Sequence, residues 1–191
     1  MNGYVSFQII SLLGVLLFYH LFEHYLNGLS HPDTNTWKSA LISLPFSTAI
    51  LVGLIEYIVE MHIYGPKNPG VMALVGVVFI GIGLFIRFKA IFTAKQSFSH
   101  AIMHVRKPSH ELITHGIYHY IRHPGYLGMF LFAVGTQIYL VNPISIVVFA
   151  AVLWKLFHDR IQIEETYLVS MFGIDYIEYR ERTPTWLPFI S

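Results

Sequence analysis

Arg160 and Glu164 stand four residues apart in a polar stretch, Trp154 to Glu165, that follows a long apolar run. On a helix this spacing puts a guanidinium and a carboxylate on one face. A surface ion pair of that kind contributes only a few tenths of a kcal/mol. Facing a pocket, the same two groups would do more. The guanidinium would bind an anion through paired donors, and the carboxylate one turn on would meet a cation. A second polar segment, Arg87 to Gly125, holds His100, His104, His110, His115, His119 and His123, six of the chain's eleven histidines. It ends in Arg122-His123-Pro124-Gly125-Tyr126-Leu127-Gly128. Three of its histidine pairs are spaced i, i+4 (His100/His104, His115/His119, His119/His123), which could place imidazoles for a metal. Gly116 and Pro124 interrupt those helices and Glu111 is the lone carboxylate nearby, so no metal site is expected.

Both polar segments lie between stretches made for lipid. Charged residues form 12% of the 191-residue chain and hydrophobic residues 54%, and the mean hydropathy is +0.56. Soluble domains carry about 25% charge, so a disordered chain is excluded and a soluble domain disfavoured. A net charge of +1 gives no reason to expect nucleic acid as a partner. With no cysteine, disulfides, thiolate metal sites, cysteine nucleophiles and palmitoylation are excluded. The segment Met1 to Phe22 lacks the basic start and cleavage site of a signal peptide.

Charge-free stretches predict membrane helices over about 4–27, 38–62 and 70–92. A longer stretch broken at Asn142-Pro143 predicts a helical hairpin, 124–140 and 143–170. Its first arm is short for a crossing. A further helix is expected over 174–182, after Phe172-Gly173. The predicted fold is all-α: a polytopic membrane bundle of about five transmembrane helices including the hairpin, with a cytosolic cofactor pocket. It forms a single domain, 1–191, with membrane helices over 1–86 and the catalytic region over 87–191. Segment 87–125 carries Arg87, Lys89, Lys95, Arg106, Lys107 and Arg122, half of the chain's Lys and Arg. The positive-inside rule puts it and 155–191 in the cytosol. Intramembrane carboxylates face inward, so Glu23, Glu56 and Glu60 are expected to be structural. Glu56 and Glu60 are assigned to Arg87, Lys89 or histidines across the bundle.

The chain resembles the isoprenylcysteine carboxyl methyltransferases. The matching strings include Phe92-Thr93-Ala94-Lys95-Gln96-Ser97-Phe98-Ser99-His100, His110-Glu111-Leu112-Ile113-Thr114-His115-Gly116-Ile117-Tyr118 and Arg122 to Gly128. Further matches are Gly135-Thr136-Gln137, Asn142-Pro143-Ile144, Arg160 with Glu164-Glu165, and Leu187-Pro188-Phe189-Ile190. The likeness runs from about 90 to 190. Two departures stand out: the region before Tyr4 is shorter than in most eukaryotic members, and Met103 replaces a common glutamine at the cofactor site.

The resemblance implies transfer of a methyl group from S-adenosylmethionine to the C-terminal carboxylate of prenylated cysteine, in CaaX-processed proteins at the endoplasmic reticulum membrane, with S-adenosylhomocysteine as product. It assigns the cofactor to Met103, His110, Glu111, Leu112, Ile113, Tyr118, His123, Pro124, Gly125, Tyr126 and Glu164. It assigns substrate binding and catalysis to Arg160. The alternative acceptor is a phospholipid or another lipophile. A prenyl chain in lipid calls for a pocket opening sideways, with Phe85, Phe88, Phe130 and Phe132 as expected tunnel walls. Oligomeric state is left open.

Overall fold

The computed structural model describes residues 3–30, 35–36, 44–67, 70–99, 102 and 111–190. Among these there are helices and no strands. Helix α1 spans Gly3–Ser30, α2 Leu44–Tyr64, α3 Gly70–Ala94, α4 Pro124–Leu140, α5 Pro143–Phe172 and α6 Ile174–Arg182. Short 3-10 turns occupy Lys95–Ser97 and Gly116–His119.

Three helical stretches, Phe7–Ser30, Pro45–Tyr64 and Gly70–Ser97, are long and apolar enough to cross a membrane. The hairpin arms differ from them for physical reasons. Helix α4 has only 17 residues, and α5 meets its first charge at Lys155, twelve residues after it starts. The proline signals placed the hairpin well: Pro124 and Pro143 each sit in the first turn of their helix, where no backbone N–H is needed.

Helices α3 and α4 pack through glycine. A Cβ on Gly83 would lie 2.5 Å from the Phe132 nitrogen, and one on Gly128 would lie 2.6 Å from the Arg87 nitrogen. Only a bare Cα lets two backbones approach so closely. At one end of this seam Arg87 reaches α1 and α4 together. Its Nη2 lies 2.5 Å from Glu23 Oε1, and its Nη1 donates to the Gly125 carbonyl at 3.1 Å. Glu23 is wholly buried. Removing one partner of such a pair costs about 3–5 kcal/mol, because the other charge is left stranded.

Polar groups also tie the opposite end. The Lys67 ammonium binds Glu60 at 2.5 Å, the carbonyls of Leu140 and Val141, and Asn142 Oδ1. Val141 has φ 55°, a strained left-handed conformation for a β-branched residue, and the ammonium over this turn helps to hold it. Glu56 accepts from the Ile144 and Ser145 N–H groups at 2.8 and 2.7 Å, capping α5 where its dipole favours an anion. The expected partners of Glu56 and Glu60 were therefore wrong. Arg87 instead takes Glu23, at the other end of the bundle, while Glu56 and Glu60 fasten α2 to the α4–α5 turn.

Candidate active site

Pro124 starts α4 directly after the His123 N-cap, so the Arg122–Tyr126 turn delivers four side chains into one corner. Tyr126 lies at its centre. The Tyr126 hydroxyl donates to Glu164 Oε2 at 2.5 Å, and Arg160 Nε donates to the same hydroxyl at 3.4 Å. The Arg160 guanidinium lies over the Tyr126 ring, 5.7 Å from its centroid. The ring also stacks on His123 and on Phe157, at 5.7 and 5.1 Å. Arg160 and Glu164 thus share a tyrosine, and the i, i+4 face of α5 is turned inward.

A second layer holds the first. Glu165, adjacent to Glu164, pairs with Arg122 at 2.7 Å and accepts from His123 Nε2 at 3.0 Å. Arg122 also donates to the carbonyls of Arg180 and Thr183, and the Arg122 N–H donates to Pro184 at 2.9 Å. These contacts bind the turn, α5 and the C-terminal tail into one unit. Leu187 and Ile190 pack with Leu127, Phe157 and Ile161 beneath it. Tyr179 donates to the Tyr118 carbonyl at 2.7 Å. Burial raises the phenols of Tyr118, Tyr176 and Tyr179 above their usual range, so they stay protonated.

The corner opens into a cavity of about 860 Å³. Its polar end is lined by Glu111, Leu112, Ile113, Tyr118, His123, Pro124, Gly125, Tyr126, Arg160 and Glu164. Every site residue expected from the sequence and lying among the described residues is on this wall. Met103 and His110 lie outside the described residues, as do His100 and His104. The structure adds Phe98, Arg87, Arg122, Tyr176 and Tyr179 to the lining. The Tyr176/Tyr179 spacing on α6 was the available signal for two of these. His115 precedes the 3-10 turn Gly116–His119, so the helical face required by its pairing with His119 does not form. Among the described residues no group of three or more His, Asp or Glu comes together for a metal.

Away from the corner the cavity becomes an apolar tunnel. Its walls are Phe46, Ala49 and Val52 from α2, Met129, Phe132 and Ala133 from α4, and Val148, Val152 and Leu156 from α5. Of the four phenylalanines expected there, only Phe132 lines it. Phe85 is 65% exposed on the outer face, Phe88 packs on Phe18 and Phe22 of α1, and Phe130 packs on the cluster under the tail. The tunnel opens between α2 and α5. Val52, Val148, Val152 and Leu156 line it, yet are 48%, 44%, 59% and 48% exposed on the outside of the bundle.

The fold and site define a class: helical membrane proteins in which a lipid-open tunnel ends at a cation and an anion that share a tyrosine hydroxyl. A family model described as the isoprenylcysteine carboxyl methyltransferase family matches residues 74–170. The chain is 39% identical over 186 residues to protein-S-isoprenylcysteine O-methyltransferase A of Arabidopsis thaliana, covering 96% of this chain and 94% of that protein. To the Homo sapiens protein-S-isoprenylcysteine O-methyltransferase it is 35% identical, covering 92% of this chain and 63% of that one. The solved structure of a eukaryotic intramembrane Ras methyltransferase superposes with a TM-score of 0.90 at 29% identity, over 96% of this chain and 67% of that one. This chain belongs to the isoprenylcysteine carboxyl methyltransferase family.

Proposed function

We propose that the protein transfers the methyl group of S-adenosylmethionine to the C-terminal carboxylate of prenylated cysteine in CaaX-processed proteins, forming a methyl ester. The observation that carries this reading is the continuity of the cavity. One end is an apolar tunnel open to lipid, and the other is the Tyr126–Arg160–Glu164 corner. A prenylated tail has the same two parts, at about 0.8 kcal/mol of membrane affinity per buried CH₂ for its chain and one anionic end.

An α-carboxyl group titrates near pH 3.3–3.7, so the acceptor arrives ionised and no general base is required. Arg160 binds and orients it, and its contact with Tyr126 limits how the guanidinium can turn. Holding one carboxylate oxygen leaves the other free to attack. The residues present fit S-adenosylmethionine: Glu164 offers a carboxylate to its positive charge, while Glu111, Leu112, Ile113 and Tyr118 supply the remaining wall. His123, Pro124 and Gly125 complete the turn, and family resemblance assigns Met103 and His110 to the same pocket. When bound, that cofactor supplies an electrophilic methyl on a sulfonium. The aromatic stack of His123, Tyr126 and Phe157 forms one apolar side of the corner.

The α4–α5 hairpin completes about five crossings in a single domain. The Lys- and Arg-rich 87–125 segment supports a polar end that faces the cytosol, and the family resemblance supports the endoplasmic reticulum membrane. The test uses purified protein in lipid nanodiscs with methyl-labelled S-adenosylmethionine and N-acetyl-S-farnesylcysteine. Base-labile methyl ester is the expected product, and its absence with folded protein overturns the proposal.

A further inference from the structure

Segment 183–190 follows Arg182, the last charged residue, and carries no charge itself. It starts at the reactive end, where Arg122 donates to the carbonyls of Thr183 and Pro184. It then turns back along the bundle. Trp154 Nε1 donates to the Pro188 carbonyl at 2.7 Å, and Trp154 is the residue just before the first charge of α5, Lys155. Helix rise gives the depth of this contact. The run from Pro124 to Leu140 along α4 is about 24 Å, while Trp154 stands about 16 Å along α5 from Pro143. Pro188 is therefore held about 8 Å inside the level at which α4 begins. The packing agrees. Leu187 and Ile190 share a cluster with Phe130 and Leu131 of α4 and Leu153 of α5, and Leu131 is about 10 Å along its helix from Pro124.

Non-helical backbone at membrane depth must have its polar groups met by protein, and this segment is made that way. Pro184 and Pro188 bring no N–H. Thr185 Oγ1 accepts from the Leu187 N–H at 3.2 Å and donates to the Ile190 carbonyl at 2.5 Å. The Ile190 N–H donates to the Leu187 carbonyl at 3.2 Å. The resulting turn buries Thr185, Leu187 and Ile190 and directs two aromatic residues outward: Trp186 is 67% exposed and Phe189 95%. Both have positive φ, 61° and 59°, a conformation bulky residues rarely adopt. The fold, not local preference, therefore sets where they point. Trp186 keeps a polar contact toward the reactive end, its Nε1 donating to the Tyr120 carbonyl at 2.9 Å. Indole rings favour the headgroup level, and phenylalanine the boundary with the acyl chains.

We propose that segment 183–190 is a re-entrant membrane anchor, with Trp186 among the lipid headgroups and Phe189 among the upper acyl chains. The bilayer is the occupant of this face because the segment is free of charge, lies beside the charge-free part of α5, and turns its aromatic residues away from the protein at that depth. The tail that braces Arg122 is thus itself held by lipid.

The chain has no cysteine, so Phe189→Cys in the full chain gives a single site for a nitroxide spin label. In lipid nanodiscs its collisions with oxygen, which concentrates in lipid, are compared with those of nickel–EDDA, which stays in water. Ile82→Cys, on the outer face of an apolar span, is the lipid reference. Glu181→Cys, exposed on α6, is the aqueous one. The oxygen-to-nickel ratio at 189 should exceed that at 181 by about threefold or more and approach that at 82. A ratio matching 181 overturns the anchor. So does a label that neither reagent reaches, because another protein surface would then cover it. Phe189→Trp keeps an aromatic ring and serves if the labelled variant fails to fold. The emission it adds to wild type should fall by about half or more in lipids brominated on the acyl chain, and undiminished emission overturns the inference. Neither readout uses a methyl donor or acceptor, so a protein without methyltransferase activity overturns the proposed function and leaves the anchor standing.

Discussion

The α3–α4 seam and the α2–α5 cleft are made in opposite ways. The seam is closed by glycines, and the Cβ of almost any other residue would meet backbone. The cleft is lined by valines that face a void on one side and lipid on the other. The seam's polar anchor, Glu23–Arg87, lies at the reactive end and holds the Gly125 carbonyl. The anchors of α2, Glu56 and Glu60, lie at the far end. The protein thus fixes the turn that carries Tyr126 against a rigid wall and leaves open the side from which lipid arrives. Rigidity and access are separated by helix pair.

The most severe break of this division is Glu23→Gln, which strands Arg87 within the seam. A loss of about 3–5 kcal/mol is expected, seen as a lower midpoint in thermal unfolding in nanodiscs. Arg160→Ala, on the cleft side, should lower kcat by about 100-fold or more, with the unfolding midpoint held and cofactor binding largely preserved by calorimetry. Lost cofactor binding there, with kcat unchanged, would reverse the roles given to the two groups. A matched pair sharpens the contrast. Gly128→Val overpacks the seam at about 1–3 kcal/mol and should lower stability for any substrate. Val52→Phe fills open space and should mainly raise KM for the prenyl substrate. Equal unfolding midpoints in the pair would erase the distinction. Smaller again is Lys67→Met, which uncaps the Val141 turn and frees Glu60. About 1–2 kcal/mol of stability should be lost, with little change in kcat. The smallest effect is none: with Tyr118, Tyr176 and Tyr179 raised by burial, kcat should stay flat from about pH 7 to 9. A basic limb in that range would show a phenol ionising.

Much of this was legible before any coordinates. Charge gaps and prolines located α3 and the hairpin to within a few residues, because lipid forbids charge and Pro cannot sit mid-helix, and the Phe172-Gly173 stop located α6. Tyr126, Arg160 and Glu164 stood out because polar groups beside apolar runs are costly to keep. The tunnel walls were not legible. A helix apolar on every side carries no mark of which face meets lipid and which meets a cavity, so Phe85 and Phe132 look alike in sequence. The partners of Glu56 and Glu60 were misread for another reason. Successive helices run in opposite directions, so the end of α2 lies a full bundle length from the end of α3. Chain direction alone separates those carboxylates from Arg87.

Helix α5 runs unbroken from the lipid-facing Val148 to Arg160 and Glu164. A helix turns once every 3.6 residues, so deleting one residue between them would swing Arg160 by about 100° away from the tunnel. The measure between greasy tail and anionic head is thus kept as an angle as well as a length. Over this stretch a substitution keeps the register of head to tail, and the insertion or loss of one residue breaks it.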